Sequence, residues 1–501
     1  MATVLYDSGA MLTWAYQCIL FGLALLLYFS LTCFYNVFLH PLAKVPGPFL
    51  AKISTFWLFG KEIEGDAANN LAQLHKKYGP LIRVKPNEVV INDREAFVTI
   101  HRQGTKFYKE ENFYNSFKGT HGNLFNIQDP EDHSRRKRLM SPSFSSASLL
   151  THQDIIYASI EPALEAASRL IRLEKQVPLF PIIRKFALDS ISAFAFGFDS
   201  ANPTHVDDNS AGKIFSALDA SPHDLLVFQH FPFLRTLTRQ LARLFPKMVP
   251  DDVLFLTRYG MEKLQASREA KLPDRPGLFK EMEQLLVAKD QKLTDDELVA
   301  ESSTLFFAGT DTTASTIAFS LWHLLHDKDS YTRLQRELET VMPETTSRPT
   351  LKQLEALPFL EACIKEGLRV TCAPRGRLPR VVPSDGLRTN GYFVPPGSVV
   401  SIPISYLLYD ENTFPEPKQY RPERWLGDDA KNLESYLYPF SRGSRVCIGQ
   451  TLSMAEQRVC IAQFVRRFSP VKYEPLRPIQ GKEYVTWVMM DDLAIRLREN
   501  E

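Results

Sequence analysis

Residues 440–449 read Phe440-Ser441-Arg442-Gly443-Ser444-Arg445-Val446-Cys447-Ile448-Gly449. One cysteine stands on a glycine-flanked loop, behind an aromatic residue and a cation, just before a predicted helix from Gln450 onward. A tight turn of this kind can aim backbone N–H groups at the sulfur, and a bound metal makes the thiol ionise. Gly443 and Gly449 permit the turn and a close approach of backbone to a flat macrocycle. Phe440 can cover the sulfur against water, and Arg445 can pair with a carboxylate through charge-assisted hydrogen bonds. A thiolate held this way suits a haem iron, with Cys447 as the metal ligand. Thiolate ligation pushes electron density onto the iron and favours O–O cleavage, which implies oxygen activation rather than carriage. The competing reading of Cys447 is a free, buried thiol.

The loop fills every specified position of F-x-x-G-x-R-x-C-x-G and so resembles the haem loop of the cytochrome P-450 family. That resemblance implies haem b with Cys447 as axial thiolate, Arg445 on a haem propionate, and Phe440 and Gly449 against the cofactor.

The 501 residues are 44% hydrophobic and 23% charged, ordinary for a globular protein with a large core. A formal net charge of +1 argues against a nucleic-acid binder, which carries a basic excess. Six scattered cysteines make no disulfide framework, and the catalytic part is expected in a reducing compartment. From Ser8 to Leu39 there is no charged residue and no histidine, long enough for a membrane-crossing helix. Trp14, Tyr16, Phe34 and Tyr35 stand where interfacial aromatic anchors belong. A cleaved signal peptide would want a basic start, which Met1 to Asp7 lacks, and a small-x-small cleavage site, which is not evident. Lys44, Lys52 and Lys61 follow the segment and no Lys or Arg precedes it, so the bulk of the chain is expected in the cytosol.

Pro41-Leu42-Ala43-Lys44-Val45-Pro46-Gly47-Pro48 forbids a helix and predicts a stiff, bent spacer, similar to the proline hinge of microsomal P-450 enzymes. Two short β-type runs follow, Leu81-Ile82-Arg83-Val84 and Val89-Val90-Ile91. Residues 157–196 and 294–340 are helical in pattern. No internal repeat or Gly/Ser linker divides what remains. The expected organisation is a luminal tail and anchor over 1–39, a hinge over 40–50 and one catalytic domain over 51–501. The fold implied is mainly α with small β-sheets.

Thr294-Asp295-Asp296-Glu297 has the form of a capping box opening a long helix. Its centre, Ala308-Gly309-Thr310-Asp311-Thr312-Thr313-Ala314, is rich in poor helix formers. A small-residue run can merely allow a tight helix crossing, yet A-G-x-D-T-T resembles the distal-helix motif of P-450 monooxygenases. The resemblance implies that Gly309 lets the helix widen beside the iron and that Ala308 lies against the haem. By the same resemblance Thr312 orients oxygen and a water and Asp311 belongs to a proton relay, general acid catalysis through a positioned hydroxyl.

Glu366-Gly367-Leu368-Arg369 matches E-x-x-R, whose i,i+3 spacing puts both side chains on one helix face. Arg424 in Tyr420-Arg421-Pro422-Glu423-Arg424-Trp425 is expected to join them in a buried structural network. His133 and Lys137, at i,i+4 in the basic run 132–138, replace the family's W-x-x-x-R and are expected on the propionates, although Lys lacks the fork of Arg. Arg380 matches another propionate position. The remaining arginines of the run are expected to face an acidic redox partner.

Phe107, Tyr108, Phe113, Tyr114, Phe117 and Phe125 crowd one stretch that suits a pocket wall. By resemblance, Leu225 to Phe233 lies near the access channel and the membrane, with Thr304, Phe307, Ala308 and the Val485 region closing the pocket. Residues 35–48 and Asp129 to His133 look like fungal biosynthetic members, which points to a terpenoid or polyketide intermediate as substrate. Nothing after Cys447 resembles a flavin domain, so NADPH electrons are expected through a separate P-450 reductase at the endoplasmic reticulum. The rivals are a haem-thiolate isomerase or dehydratase, whose members often lack the Asp–Thr pair, and a non-catalytic haem sensor or membrane scaffold.

Overall fold

The computed structural model describes residues 8–119, 121–198, 206–245, 251–269, 275–289 and 292–500; the expected luminal tail at 1–7 lies outside them. The uncharged N-terminal stretch forms α1 (Ser8–Phe34) and a π-helical turn, Tyr35–Leu39. Tyr16–Leu39 is long and apolar enough to cross a bilayer, and its most apolar window is buried against nothing. The proline segment is non-helical, as expected, but it is docked rather than free. Leu42 and Val45 are buried, the Arg83 N–H donates to Pro46 O at 2.7 Å, and Arg83 Nη1 donates to Asn36 O at 2.7 Å. α2 (Phe49–Ile53) starts two residues inside the expected hinge, and α3 (Phe56–Ile63) follows.

The two β-type runs form β1 (Leu81–Lys85) and β2 (Glu88–Ile91), antiparallel with Leu81 opposite Ile91. β3 (Tyr108–Lys109), β4 (Arg380–Val381) and β5 (Val399–Ser401) complete a sheet of order β1-β2-β5-β4-β3. Its distant edge sets Lys109 directly opposite Arg380. A short C-terminal hairpin joins β6 (Gly481–Glu483) and β7 (Trp487–Met489).

Helices make up the larger part: α4 (Glu111–Ser116), α5 (Pro130–Met140), α6 (Gln153–Arg172), α7 (Leu179–Phe196), α8 (Asp208–His230), α9 (Pro232–Leu244), α10 (Asp295–His326), α11 (Pro358–Thr371) and α12 (Gln450–Arg467), with others between. α6, α7, α10 and α12 share the main hydrophobic cluster. α7 is apolar on nearly every side and is buried on nearly every side. α10, at 32 residues, spans about 48 Å. Its capping box is formed: Glu297 N–H donates to Thr294 Oγ1 at 3.2 Å, and Thr294 N–H donates to Glu297 Oε2 at 2.9 Å.

α11 places Glu366 and Arg369, both fully buried, on one face. Arg369 donates to the carboxylate from Nε at 2.9 Å and Nη2 at 2.8 Å, and Arg424 Nε donates at 2.9 Å. Trp425 Nε1 adds a bond at 2.9 Å that the sequence did not announce. A buried carboxylate with this many donors has no unpaired lone pair.

Glu456 on α12 is the opposite case. It is buried, its Oε1 has no hydrogen-bond partner, and burial pushes its carboxyl up to about 8, opposed weakly by Ser190 of α7. Because the folded pKa exceeds the ordinary 4.5, the stability present below that value is lost as pH rises through 8. Glu456→Gln keeps the shape and removes this slope. Unfolding free energies of wild type and variant, measured by denaturant between about pH 5 and pH 9, should diverge with rising pH, by on the order of a few kcal/mol, in favour of the variant.

Candidate active site

The Cys447 N–H donates to Phe440 O at 3.0 Å and closes the loop. Gly443 opens a 3-10 turn at φ +71°, where a Cβ would lie 2.1 Å from His101 O, so glycine is required there. Gly449 departs from expectation: it sits in the turn before α12, but its φ is −78°, open to any residue, so the turn itself does not require a glycine. It stands at the start of α12, where a Cβ would be 3.8 Å from the Cys447 sulfur, so its bareness leaves room beside that sulfur. Phe440 is half-buried against the main core.

Burial raises the pKa of the Cys447 thiol, while the N–H groups of Gly449 and Gln450 and the charge of Lys137 oppose it. Yet Cys447 is exposed by surface area. Both hold together when a sulfur deep in the protein faces an enclosed cavity. α10 has a bare spot of its own: Ala308 is exposed in mid-helix although Leu305, Phe306, Thr310 and Thr313 around it are buried. The hydroxyls of Thr313 and Ser453, 3.1 Å apart, tie this stretch to the first turns of α12 and so to the cysteine loop.

On the same helix the Thr312 hydroxyl donates to Ala308 O at 2.7 Å, which leaves its oxygen free to accept. Asp311 is held by Arg184 of α7, from Nε at 2.6 Å and Nη2 at 2.9 Å, and Arg184 also donates to Asp219 of α8 at 2.7 Å. Burial raises the pKa of Asp311 and the Arg184 charge opposes it. The expected widening at Gly309 is absent, since α10 runs unbroken. Gly309 instead faces Ile191, which a Cβ would approach to 2.9 Å, so it serves the close crossing of α7 and α10.

Around the cysteine loop lies a nest of cations. Burial, then Arg380 and Arg445, push Lys109 well below the ordinary lysine value. Burial leads again at His133, lowered to about 3 with Arg445, Lys109, Lys137 and Arg380 adding to it. Arg445 is lowered to about 10 by burial and by Arg380. Like charges opposite one another in a sheet, as Lys109 and Arg380 are, destabilise it unless something neutralises them. Arg380 Nε is buried with no hydrogen-bond partner. An accessible sulfur, a bare helix wall and an uncompensated cation nest fit a flat iron cofactor carrying two carboxylates. Cys447 would bind its metal, Phe440, Gly449 and Ala308 its faces, and His133, Lys137, Arg380 and Arg445 its carboxylates, with Lys109 added by the structure.

Arg445 also donates to Ile127 O at 2.7 Å and Gln128 O at 2.8 Å, and Lys137 donates to Ser444 O at 3.1 Å, so the nest pins its own loops. Arg136 corrects the expectation of a partner-facing arginine. It is buried and paired with Glu297 at 3.0 Å and Glu301 at 2.8 Å, while Arg135 stays exposed.

Of the aromatic stretch, Phe113, Tyr114, Phe117 and Phe125 cluster, and Phe117 reaches Phe307 of α10 at 6.3 Å between ring centroids. Phe107 and Tyr108 do not join them: Phe107 packs into the sheet-side core and Tyr108 is 50% exposed. Leu225 to Phe233 is a helix to His230, then a break before Pro232. The hairpin meets α8 where Tyr484 Oη and His223 Nε2 lie 3.1 Å apart.

Residues 46–490 match the family model described as Cytochrome P450. The chain belongs to the cytochrome P-450 family. It is 32% identical over 462 residues to the Cytochrome P450 monooxygenase macH of Penicillium terrestre, covering 88% of this chain and 89% of that protein. It is 30% identical over 465 residues to the Cytochrome P450 monooxygenase hkm5 of Aspergillus hancockii, covering 90% and 89%. The Cytochrome P450 monooxygenase BOT1 of Botryotinia fuckeliana is 29% identical over 447 residues, covering 88% and 87%. As a P-450 the chain is an oxidoreductase of the monooxygenase class, and the family implies a haem-thiolate centre. Lys109, Arg184 and Asp219 escaped the sequence because their partners lie on other elements. A two-residue strand whose lysine faces Arg380 is no motif.

Lys109→Met should move two quantities in opposite directions. The cofactor-free protein should resist denaturant better, since a buried cation is gone. Haem transfer to excess apomyoglobin should speed by about tenfold or more, given roughly 1.5–3 kcal/mol for a charged hydrogen bond and tenfold per 1.4 kcal/mol.

Proposed function

We propose that this P-450 inserts one oxygen atom of dioxygen into a lipophilic small molecule, an intermediate of secondary metabolism of terpenoid or polyketide type. In this reading haem b is bound through Cys447, and NADPH electrons arrive from a separate cytochrome P-450 reductase. Residues 1–39 anchor the chain in the endoplasmic reticulum membrane by a single span, 40–50 are the hinge, and 51–501 form the domain facing the cytosol. One observation carries the reading: the Asp311–Thr312 pair stands on α10 beside Thr313, whose hydroxyl meets Ser453 at the start of the helix that follows the Cys447 loop. An isomerase has no need of that pair.

A thiolate-held haem, when bound, supplies the splitting of dioxygen, one atom going to the substrate and one to water with two electrons and two protons. The chain must deliver those protons and exclude bulk water. The Thr312 oxygen, its own proton committed to Ala308 O, can accept from a water in the cavity. Asp311 is the nearby acid, and Asp219, 55% exposed at the other end of Arg184, is open to solvent. An arginine does not give up its proton, so one taken up at Asp219 reaches Asp311 only when the guanidinium shifts. Phe117, Phe125 and Phe307 offer an apolar wall, which suits a lipophilic substrate.

Reconstitution with a P-450 reductase, candidate lipophilic substrates and labelled dioxygen tests this. Thr312→Ala should lower product per NADPH and raise hydrogen peroxide. Asp311→Asn should slow turnover roughly 100-fold, the lower range for positioned acid catalysis, with a changed solvent isotope effect. Product without label, formed equally well without NADPH, would overturn the proposal in favour of an isomerase.

A further inference from the structure

α9 has no buried side chain among its residues and carries two different faces. Phe233, Leu237, Leu241 and Leu244 form an apolar stripe, 65%, 46%, 45% and 71% exposed. Arg235, Arg239 and Arg243, four residues apart, lie round the other side of the helix. The stripe continues an apolar surface that begins at the membrane end of the domain. Phe231, just before α9, packs on Phe56 of α3 at 4.9 Å, and Phe49, Leu50 and Phe56 are exposed directly after the hinge. A helix with an apolar stripe and arginines beside it lies in a bilayer interface, at the depth of the headgroups.

The arginines are not idle. Arg235 and Arg239 both donate to Lys118 O, Arg239 at 2.8 Å, and Arg239 donates to Gly119 O as well. These carbonyls end the turn after α4, where a positive charge meets the negative end of the helix. Phe117, the residue before them, touches Phe307 of α10. The α9 arginines are thus one residue from the pocket wall. Their acceptors are neutral, and among the described residues no carboxylate is hydrogen-bonded to either guanidinium. A phosphate would offer both a charge and two oxygens, the stronger partner for a guanidinium fork.

We propose that the arginine face of α9 is a latch worked by anionic lipid. On a bilayer with anionic headgroups, lipid phosphates take Arg235 and Arg239 from the Lys118 and Gly119 carbonyls and free the loop bearing Phe117 to admit substrate. On a neutral bilayer the latch stays closed. The idea rests on the membrane-anchored haem-thiolate reading above and adds a control on entry to it.

The test uses the full-length holoenzyme in phosphatidylcholine vesicles with and without phosphatidylserine. The probe is clotrimazole, a bulky azole that ligates haem iron and shifts its Soret band, compared at equal membrane-bound azole. Its association should be about fivefold faster on the anionic vesicles, matching the roughly 1 kcal/mol that one arginine gains near such a surface. About 1 M salt, where the Debye length is roughly 3 Å, should abolish the difference. Arg235→Gln with Arg239→Gln should associate fast on both vesicle types. Equal rates for wild type on the two vesicles, or a difference that survives the salt, would overturn the latch. So would a double variant that keeps the full lipid response. If the double variant does not fold, the wild-type salt comparison decides alone. A wild type that gives no azole shift in any vesicle refutes the haem-thiolate reading itself.

Discussion

A cysteine thiol enclosed by protein does not ionise unaided, and the layout of this domain follows from how Cys447 is placed. Burial holds its proton on, while two N–H groups from the start of α12 and the Lys137 charge draw the other way. A metal ion tips that contest decisively, because a coordinated thiol is deprotonated outright. The loop therefore has to be stiff before the metal arrives. The Gly443 turn, the Cys447–Phe440 bond and the clamps from Arg445 and Lys137 provide that stiffness. Behind it, the saturated Glu366 carboxylate fixes α11 to the segment around Arg424 and Trp425, which leads into the loop.

The cation nest carries the same logic to the periphery. Lys109, Lys137, Arg380 and Arg445 burden the cofactor-free fold, since each is wholly or partly buried near charges of its own sign, and they hold His133 beside them neutral. Two carboxylates arriving together turn this repulsion into attraction. With these residues on the haem carboxylates, as proposed, folding and cofactor binding would be coupled through electrostatics as well as through the iron. The α10 side uses the opposite device, a compensated acid: Asp311 is shared through Arg184 with a solvent-facing Asp219, which keeps a charge available at the middle of that helix.

What the sequence made legible is what lies in contiguous residues. The cysteine loop, the Thr294 capping box, the two strands and the Glu366–Arg369 spacing all became the elements foreseen, because turn geometry, capping and helical period are local physics. What it hid depends on distant partners. Arg136 reads as one more member of a solvated basic run until α10 brings Glu297 and Glu301 against it. Gly309 reads as a place for the helix to widen until Ile191 is found facing it. Phe107 and Tyr108 sit on a chain segment that turns into the sheet edge, which takes them away from the aromatic cluster they adjoin in sequence.

The central claim is that the Cys447 sulfur binds a haem iron as a thiolate. It is tested most directly by the absorption spectrum of the purified, reduced protein under carbon monoxide, in wild type and Cys447→Ala. The account predicts the strongly red-shifted Soret band of thiolate ligation in wild type and its loss in the variant. A wild-type band at the position given by a neutral ligand, or a red-shifted band that survives Cys447→Ala, would contradict it.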